Sequence, residues 1–263
     1  MSPNGLLQSA VVARIRPSPA TLGIVLVNFN RLTAQCLEYI GYTVVRSHRY
    51  PQANLNLLEL GCLLVSSIKS ERLKIVQIGA FDGEFHDPLS SVFLNHQDAA
   101  ALLVEPQPQA FERLRDRFAG RHDVLLENVA IANRDGTAPL YLPLETECSP
   151  LASLDRNHLS RFGLGSDSIG TRSVRTLTMK SLLTKHRFHD IDILQIDTEG
   201  QDYNILKQVF DLSITPLVVN LESAHLSKYE RLKLRSELSE RGYQYVDADV
   251  DTFAVRLKEI VRR

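Results

Sequence analysis

The 263 residues include only three cysteines, Cys36, Cys62 and Cys148, far apart and without Cys-x-x-Cys spacing. Neither a disulfide framework nor a thiolate zinc site is indicated, and a reducing cytoplasm is the expected compartment. An excess of one charge is also missing: 30 Lys and Arg face 31 Asp and Glu, a formal net charge of -1. No whole-protein field favours a polyanion, so nucleic acid is not an expected partner. Long hydrophobic runs are absent. Leu22 to Phe29 and Leu57 to Ile68 are too short to span a bilayer, and Glu59 interrupts the second. The first residues lack the ordered parts of a signal peptide, and no internal repeat or low-complexity tract stands out.

What is present is ordinary globular material, with 44% hydrophobic and 23% charged residues. A chain of this length removes roughly 73% of its extended surface from water on folding, an upper bound that still permits a proper core. Residues 1–72 read as an N-terminal mixed or helical extension, a lid, cap or dimer contact. It holds an apolar run from Gly23 to Val27, a helical candidate from Leu32 to Ile40, the segment Tyr42 to Ser47 and an apolar helix near Leu55 to Ile68. Residues 73–263 alternate short apolar runs with amphipathic helices, the pattern of an α/β protein with a parallel sheet. The runs are Lys74 to Ile78, Ala101 to Glu105, Val124 to Ile131, Ile191 to Asp197 and Pro216 to Glu222. Tyr243 to Val246 and Thr252 to Arg256, joined by a polar turn, suggest an antiparallel last pair. Ala138 to Leu142 extends the sheet or forms a small ribbon. Pro143 to about Arg172 reads as a long irregular loop, the kind that is usually functional.

Doubly wound sheets bind ligands at the carboxyl ends of their strands, and the chemistry-bearing residues gather at those ends. Gly79-Ala80-Phe81-Asp82-Gly83 follows the first run. Asp82 and Glu84 would repel a pyrophosphate, whereas a cationic sulfonium and ammonium suit an acidic glycine loop. Glu105, followed by Pro106, ends the second run where an acid receives two ribose hydroxyls; the competing reading is a carboxylate that caps the next helix. Asn128, with Val129 and Ala130, stands beside an expected adenine, and its amide either reads the purine edge or satisfies backbone. Asp197 and Glu199 emerge together after the fourth run. They grip an ammonium group, position a hydroxyl acceptor or ligate a divalent cation; no metal site is assigned. Asp202 is expected to cap the following helix. Glu222 ends the fifth run, and His225 either takes a proton from an acceptor hydroxyl or is a surface or capping imidazole.

Val76-Gln-Ile-Gly-Ala-Phe-Asp-Gly83 with Asp87-Pro88, Val104-Glu-Pro-Gln-Pro108 and Asn128-Val-Ala130 together resemble FkbM-type S-adenosylmethionine-dependent methyltransferases. Asp192-Ile-Leu-Gln-Ile-Asp-Thr-Glu-Gly200, Leu221-Glu222 and Gly242-Tyr243 are similar to that family's later motifs, in order. The resemblance covers about residues 73–256. It implies a class I methyltransferase fold, a Rossmann-like seven-stranded, mostly parallel sheet with helices on both faces. It also implies S-adenosyl-L-methionine as cofactor and methylation of a hydroxyl on a small molecule, sugar or secondary metabolite. Gly79 to Gly83, Glu105, Pro106, Asn128, Val129, Ala130 and Asp197 would hold the donor, with Asp197, Glu199, Glu222 and His225 around the acceptor. The family commonly has Asn where Phe81 stands and Lys where Gln195 stands, so other groups must replace the hydrogen bonds made there. Phe81 either packs on the cofactor or fills core. Two other readings stay open: methylation of nucleic-acid or protein nitrogen, and a catalytically silent binding module. The sequence leaves homo-oligomerisation open.

Overall fold

A computed structural model describes residues 7–14, 25–29, 42–45, 57–85, 87–95, 99–248 and 250–261. The chain divides into two units, Met1–Ser70 and Glu71–Arg263. In the first, β1 (Leu7–Arg14) pairs antiparallel with both β2 (Val25–Phe29) and β3 (Tyr42–Val45), giving the order β2-β1-β3. The sequence reading passed over β1. The helical candidate from Leu32 to Ile40 lies outside the described residues. α1 (Leu57–Ile68) completes the unit.

The second unit is built on β4 (Lys74–Ile78), β5 (Ala100–Val104), β6 (Val124–Glu127), β10 (Ile193–Ile196), β11 (Val218–Glu222), β12 (Gln244–Ala248) and β13 (Asp251–Val255). They form one seven-stranded sheet in the order β12-β13-β11-β10-β4-β5-β6. β4, β5, β6, β10 and β11 run parallel, and β13 is antiparallel to both β11 and β12. This is the Rossmann-like methyltransferase sheet. Its central strands are apolar on both faces, as a sheet covered by helices on each side requires; Ile75, Val76, Ala101, Leu102, Leu103, Ile193 and Leu194 have no exposed surface. The connecting helices are α2 (Ser90–Asn95), α3 (Pro108–Arg117), α5 (Met179–His186), α6 (Asp202–Asp211) and α7 (Lys228–Glu240), with α8 (Leu257–Val261) last. Parallel crossovers are right-handed, so reversing the strand order at β4 and β10 sends helices to opposite faces. Among the described residues no helix is long and apolar enough to cross a membrane.

Two expectations are corrected. The run from Val124 to Ile131 is not one strand: β6 stops at Glu127, and β7 (Ala130–Ile131) pairs instead with β9 (Ile169–Leu177) in a separate sheet ordered β7-β9-β8, where β8 is Gly136–Pro143. The cause lies across the strand pair, because the Asn128 side-chain amide donates to the Glu105 carbonyl at 2.8 Å where the ladder between β5 and β6 ends. Nor is Pro143 to Arg172 a structureless loop. It carries α4 (Arg156–Arg161), capped by the Asp155 carboxylate on the Asn157 N–H, and the start of β9, which pairs antiparallel with β8.

Candidate active site

The chain leaves β4 at Gly79 with φ +84°. A Cβ there would stand 1.7 Å from the Asp197 carbonyl oxygen, so glycine alone lets the first turn press against the end of β10. The Gly79 and Ala80 N–H groups both donate to the Val104 carbonyl, at 2.9 and 3.0 Å. Phe81 follows at φ +46°, a left-handed conformation unusual for an aromatic residue. Its N–H donates to Glu105 Oε2 at 3.0 Å, and the Gln107 N–H donates to Glu105 Oε1 at 2.8 Å. Glu105 therefore ties the glycine loop to the entry of α3 without capping it, since the cap position is Gln107 and carries no side-chain cap hydrogen bond, and it also lines the cleft. Burial pushes its carboxyl up to about 7, against the pull of the Gln107 and Phe81 N–H groups.

The cleft encloses about 300 Å³, the scale of a small-molecule site. Gly79, Ala80, Phe81, Glu105, Pro106, Val129, Ala130 and Asp197 all contribute to its wall. Asp82, Gly83 and Asn128 do not. Asp82 Oδ1 accepts from the Glu84 and Phe85 N–H groups at 3.1 and 2.9 Å, and its Oδ2 faces Arg113 Nε at 3.6 Å. Its carboxylate shapes the loop. Gly83 packs the loop on α3, where a Cβ would stand 2.8 Å from Leu114 Cδ1. Asn128 spends its amide on backbone, the second of its two readings. The sequence reading instead gave Asp87 no role. Its Oδ1 accepts from Gln77 Nε2 and the Leu89 N–H, each at 2.9 Å, while its Oδ2 and Gln77 Oε1 are buried without a hydrogen-bond partner. Both residues line the cleft. Burial raises the Asp87 carboxyl above its ordinary range.

On the other side of the strand reversal, the Asp202 carboxylate accepts from the N–H groups of Thr198 and Gly200 at 3.1 and 3.0 Å. Gln201 is the cap of α6 and Asp202 its first residue, so the expected capping role becomes closure of the preceding loop. Glu199 sits in that loop at φ +56°, its carbonyl held by Ser153 Oγ at 2.7 Å. Asp197 opens onto the cleft where solvent reaches it. The surrounding walls and then Asp202, Glu199, Asp251 and Asp87 push its carboxyl up to about 8. His225 Nε2 lies 2.8 Å from Glu222 Oε1 and 3.3 Å from Glu199 Oε2. Burial and the nearby acids, Glu199 first, push Glu222 up to about 9; burial and His158 push His225 down. The two are thus biased toward their neutral forms. Neither lines the cleft; Glu199 links them to it.

His158, on α4, was missed in the sequence. It is fully buried, with Nε2 2.7 Å from Glu199 Oε2 and its ring edge-on to His225 at a centroid distance of 4.4 Å. Gln195, where the family commonly has lysine, accepts from Asn220 Nδ2 at 2.9 Å, and it is that Asn220 amide which donates to Asp251 Oδ2 at 2.9 Å.

Residues 77–245 match the family model described as the Methyltransferase FkbM domain. The chain belongs to the FkbM methyltransferase family. It is therefore an S-adenosylmethionine-dependent methyltransferase. Among curated proteins no match is found. Solved structures with a similar fold include precorrin-6y C5,15-methyltransferase from Geobacter metallireducens, at 12% identity over 77% of this chain and 90% of that one, TM-score 0.38. A methyltransferase from Geobacter sulfurreducens is 15% identical over 75% and 77%, TM-score 0.37. Aeropyrum pernix fibrillarin with natively bound S-adenosyl-L-methionine is 12% identical over 74% and 71%, TM-score 0.35.

The cleft suits the FkbM cofactor. Glu105 accepts one backbone N–H on each carboxylate oxygen and keeps a further lone pair on each for hydroxyl donors. The orphaned acceptors on Asp87 and Gln77 call for a donor, which an ammonium group supplies. Val129, Ile131 and Leu140 provide an apolar wall for a flat heterocycle.

Proposed function

We propose that this methyltransferase acts on a hydroxyl oxygen of a small polar molecule, such as a sugar or secondary metabolite. The observation that carries the reading is the histidine–carboxylate cluster of His158, Glu199, His225 and Glu222, which joins the donor cleft at Glu199 beside Asp197. When bound, S-adenosylmethionine supplies a methyl group already activated by positive sulfur. Glu105 would hold its ribose, Asp87 with Gln77 its ammonium group, and Val129 to Ile131 its adenine. The protein's remaining tasks are alignment of the acceptor and removal of the hydroxyl proton. Asp197 is the group placed for the second task, because its carboxylate opens on the cleft whereas His225 is held behind it between Glu222 and Glu199. The free thiols of Cys62 and Cys148 are in keeping with a reducing cytoplasm.

The test is turnover of methyl-labelled donor against parallel panels of hydroxylated metabolites, amines, protein and RNA, with product linkage read by mass spectrometry. An O-methyl ether is expected, lost in Asp197→Asn with donor affinity retained. Label in amine, protein or RNA alone would overturn the reading, and donor binding without any product would favour a silent module.

A further inference from the structure

We propose that His158, Glu199 and His225 bind a divalent first-row transition cation at the acceptor end of the cleft. The site is built from three segments of the fold: His158 on α4, Glu199 in the loop after β10 and His225 in the turn that follows β11.

The first argument is unsatisfied polarity. His158 has no exposed surface, and neither of its ring nitrogens makes a hydrogen bond. Its Nε2 lies 2.7 Å from Glu199 Oε2, yet that oxygen is also without a hydrogen-bond partner, so the ring does not aim a proton at it. Glu222 Oε2 is buried in the same condition. Orphaned polar atoms of this kind are rare, and each costs about 1–3 kcal/mol when nothing satisfies it. Two of them, His158 Nε2 and Glu199 Oε2, face each other, with His225 Nε2 3.3 Å from the same oxygen, an arrangement that a shared ion explains.

The second argument is spacing. Nε2 of His158, Nε2 of His225 and a Glu199 carboxylate oxygen all lie within 4.8 Å of one another. Glu199 Oε2 lies 2.7 Å from His158 Nε2 and 3.3 Å from His225 Nε2. Ligands at about 2.1 Å from a common tetrahedral ion stand roughly 3.4 Å apart, so the His225 spacing already fits and the His158 spacing needs to open by about 0.7 Å. Charge agrees. Among the described residues no lysine or arginine pairs with Glu199 or Glu222, whereas at the other histidine–glutamate contact, His186 with Glu127, Lys185 Nζ already neutralises the carboxylate at 2.6 Å. Arg161 and Arg231 approach but donate to the backbone carbonyls of His225, Ala224 and Leu226, fixing the turn that carries His225.

The third argument is scaffolding. One buried hydroxyl, Ser153 Oγ, donates to the Glu199 carbonyl at 2.7 Å and accepts the Asp155 N–H at 2.9 Å, and Asp155 caps the helix bearing His158. Two ligands on distant segments are thereby held to one anchor, the preorganisation a metal site needs. Two imidazoles with a carboxylate select zinc, manganese, iron or cobalt over the all-oxygen preference of calcium and magnesium. What the ion is for rests on the preceding reading: it would anchor the acceptor oxygen beside Asp197. Binding itself is measured without donor or acceptor, so the two ideas fail separately.

Chelator-treated full-length protein is titrated with Co2+ and followed by its visible d–d absorption, then challenged with Zn2+. One saturable equivalent, displaced by Zn2+, is expected. Affinity should fall at least tenfold in His225→Ala and in Glu199→Gln, and stay unchanged in His122→Ala, which alters an exposed histidine elsewhere. His158→Ala risks the core, so the less buried His225 and Glu199 carry the test, with far-UV circular dichroism confirming their fold. No saturable cobalt spectrum, or a spectrum untouched in both variants, would overturn the assignment.

Discussion

The sharpest test of the donor half of the site is Glu105. Its carboxyl is 3% exposed and pushed from 4.5 to about 7 by burial, with only the Gln107 and Phe81 N–H groups opposing that rise. Ribose hydroxyls donate to the ionised form, so donor affinity should rise as pH climbs through the folded pKa. Between about pH 6 and about pH 8 the ionised fraction grows from near one tenth to near nine tenths, a gain of about tenfold in affinity. The stability of the free protein should move in the opposite sense. A carboxyl raised in the folded state is neutral in both states below 4.5, and its contribution is lost as pH rises through about 7. Linkage sets that loss at up to about 3 kcal/mol, which bound donor offsets.

Glu105→Gln removes the titration and turns an amide N–H2 toward one of the two backbone donors. Glu105→Ala removes both acceptors. With about 1.5–3 kcal/mol for each hydrogen bond to a charged group, loss of two of them should cost the alanine variant at least about 150-fold in affinity. Calorimetric titration with S-adenosylhomocysteine from about pH 6 to about pH 8 supplies the comparison. A flat wild-type profile, or an alanine variant that binds as tightly as wild type, would refute the assignment of Glu105 to the donor.

Three further outcomes are expected. Gly79→Ala forces a Cβ to 1.7 Å from the Asp197 carbonyl at φ +84°, so it should cost more than about 4 kcal/mol and be read as loss of a cooperative thermal transition. Leu102→Ala, at a fully buried position of β5, should cost about 2–5 kcal/mol by urea denaturation; a smaller change would mean that the sheet closes around the void. Ser227→Ala breaks the capping box with Glu230 at the start of α7 and should cost about 1 kcal/mol with donor affinity unchanged. A drop in donor affinity there would connect α7 to the cleft in a way its position does not explain.

The parallel sheet was legible because its strands are continuous apolar runs, buried on both faces and separated by helical periodicity. The donor loop was legible for a different reason, since the turn at Gly79 and the acid at Glu105 are demanded by backbone geometry at a strand end. What escaped depended on contacts distant in sequence. Nothing local to Asn128 foretells that its amide would end β6 by taking the Glu105 carbonyl, or that Asp82 would spend its carboxylate on the next turn while Asp87 faced the cleft. His158 carries no motif. Its one clue was Asp155 ahead of a short helix inside a segment otherwise rich in Ser and Gly, and its partner, Glu199, arrives only through folding. β1 was likewise unread, because its pairing with β2 and β3 defines it more than its own pattern does.

The strand order also explains why the two halves of the site differ in composition. β4 and β10 are neighbours whose following segments depart to opposite faces, leaving a crevice at their carboxyl ends. On the β4 and β5 side the chain makes the tight turn at Gly79 after β4 and enters α3 soon after β5, so binding groups there are backbone turns and the acids that satisfy them. On the β10 and β11 side the wall is completed by α4 and the segment before it, inserted between β8 and β9, and this insertion brings in His158 and Ser153. Two non-glycine residues with left-handed backbone, Phe81 and Glu199, line the crevice, one on each side of this division. Each is held in that conformation from the far side of a chain reversal, Phe81 by the Glu105 carboxylate and Glu199 by the Ser153 hydroxyl. Strain of about 1–3 kcal/mol at each is tolerated because those hydrogen bonds fix the backbone. The two arms are joined at Gln107, whose side chain donates to the Ser149 carbonyl at 2.9 Å and accepts the Ser149 N–H at 2.8 Å, so altering the insertion should change the acceptor and also loosen the donor loop beside Glu105.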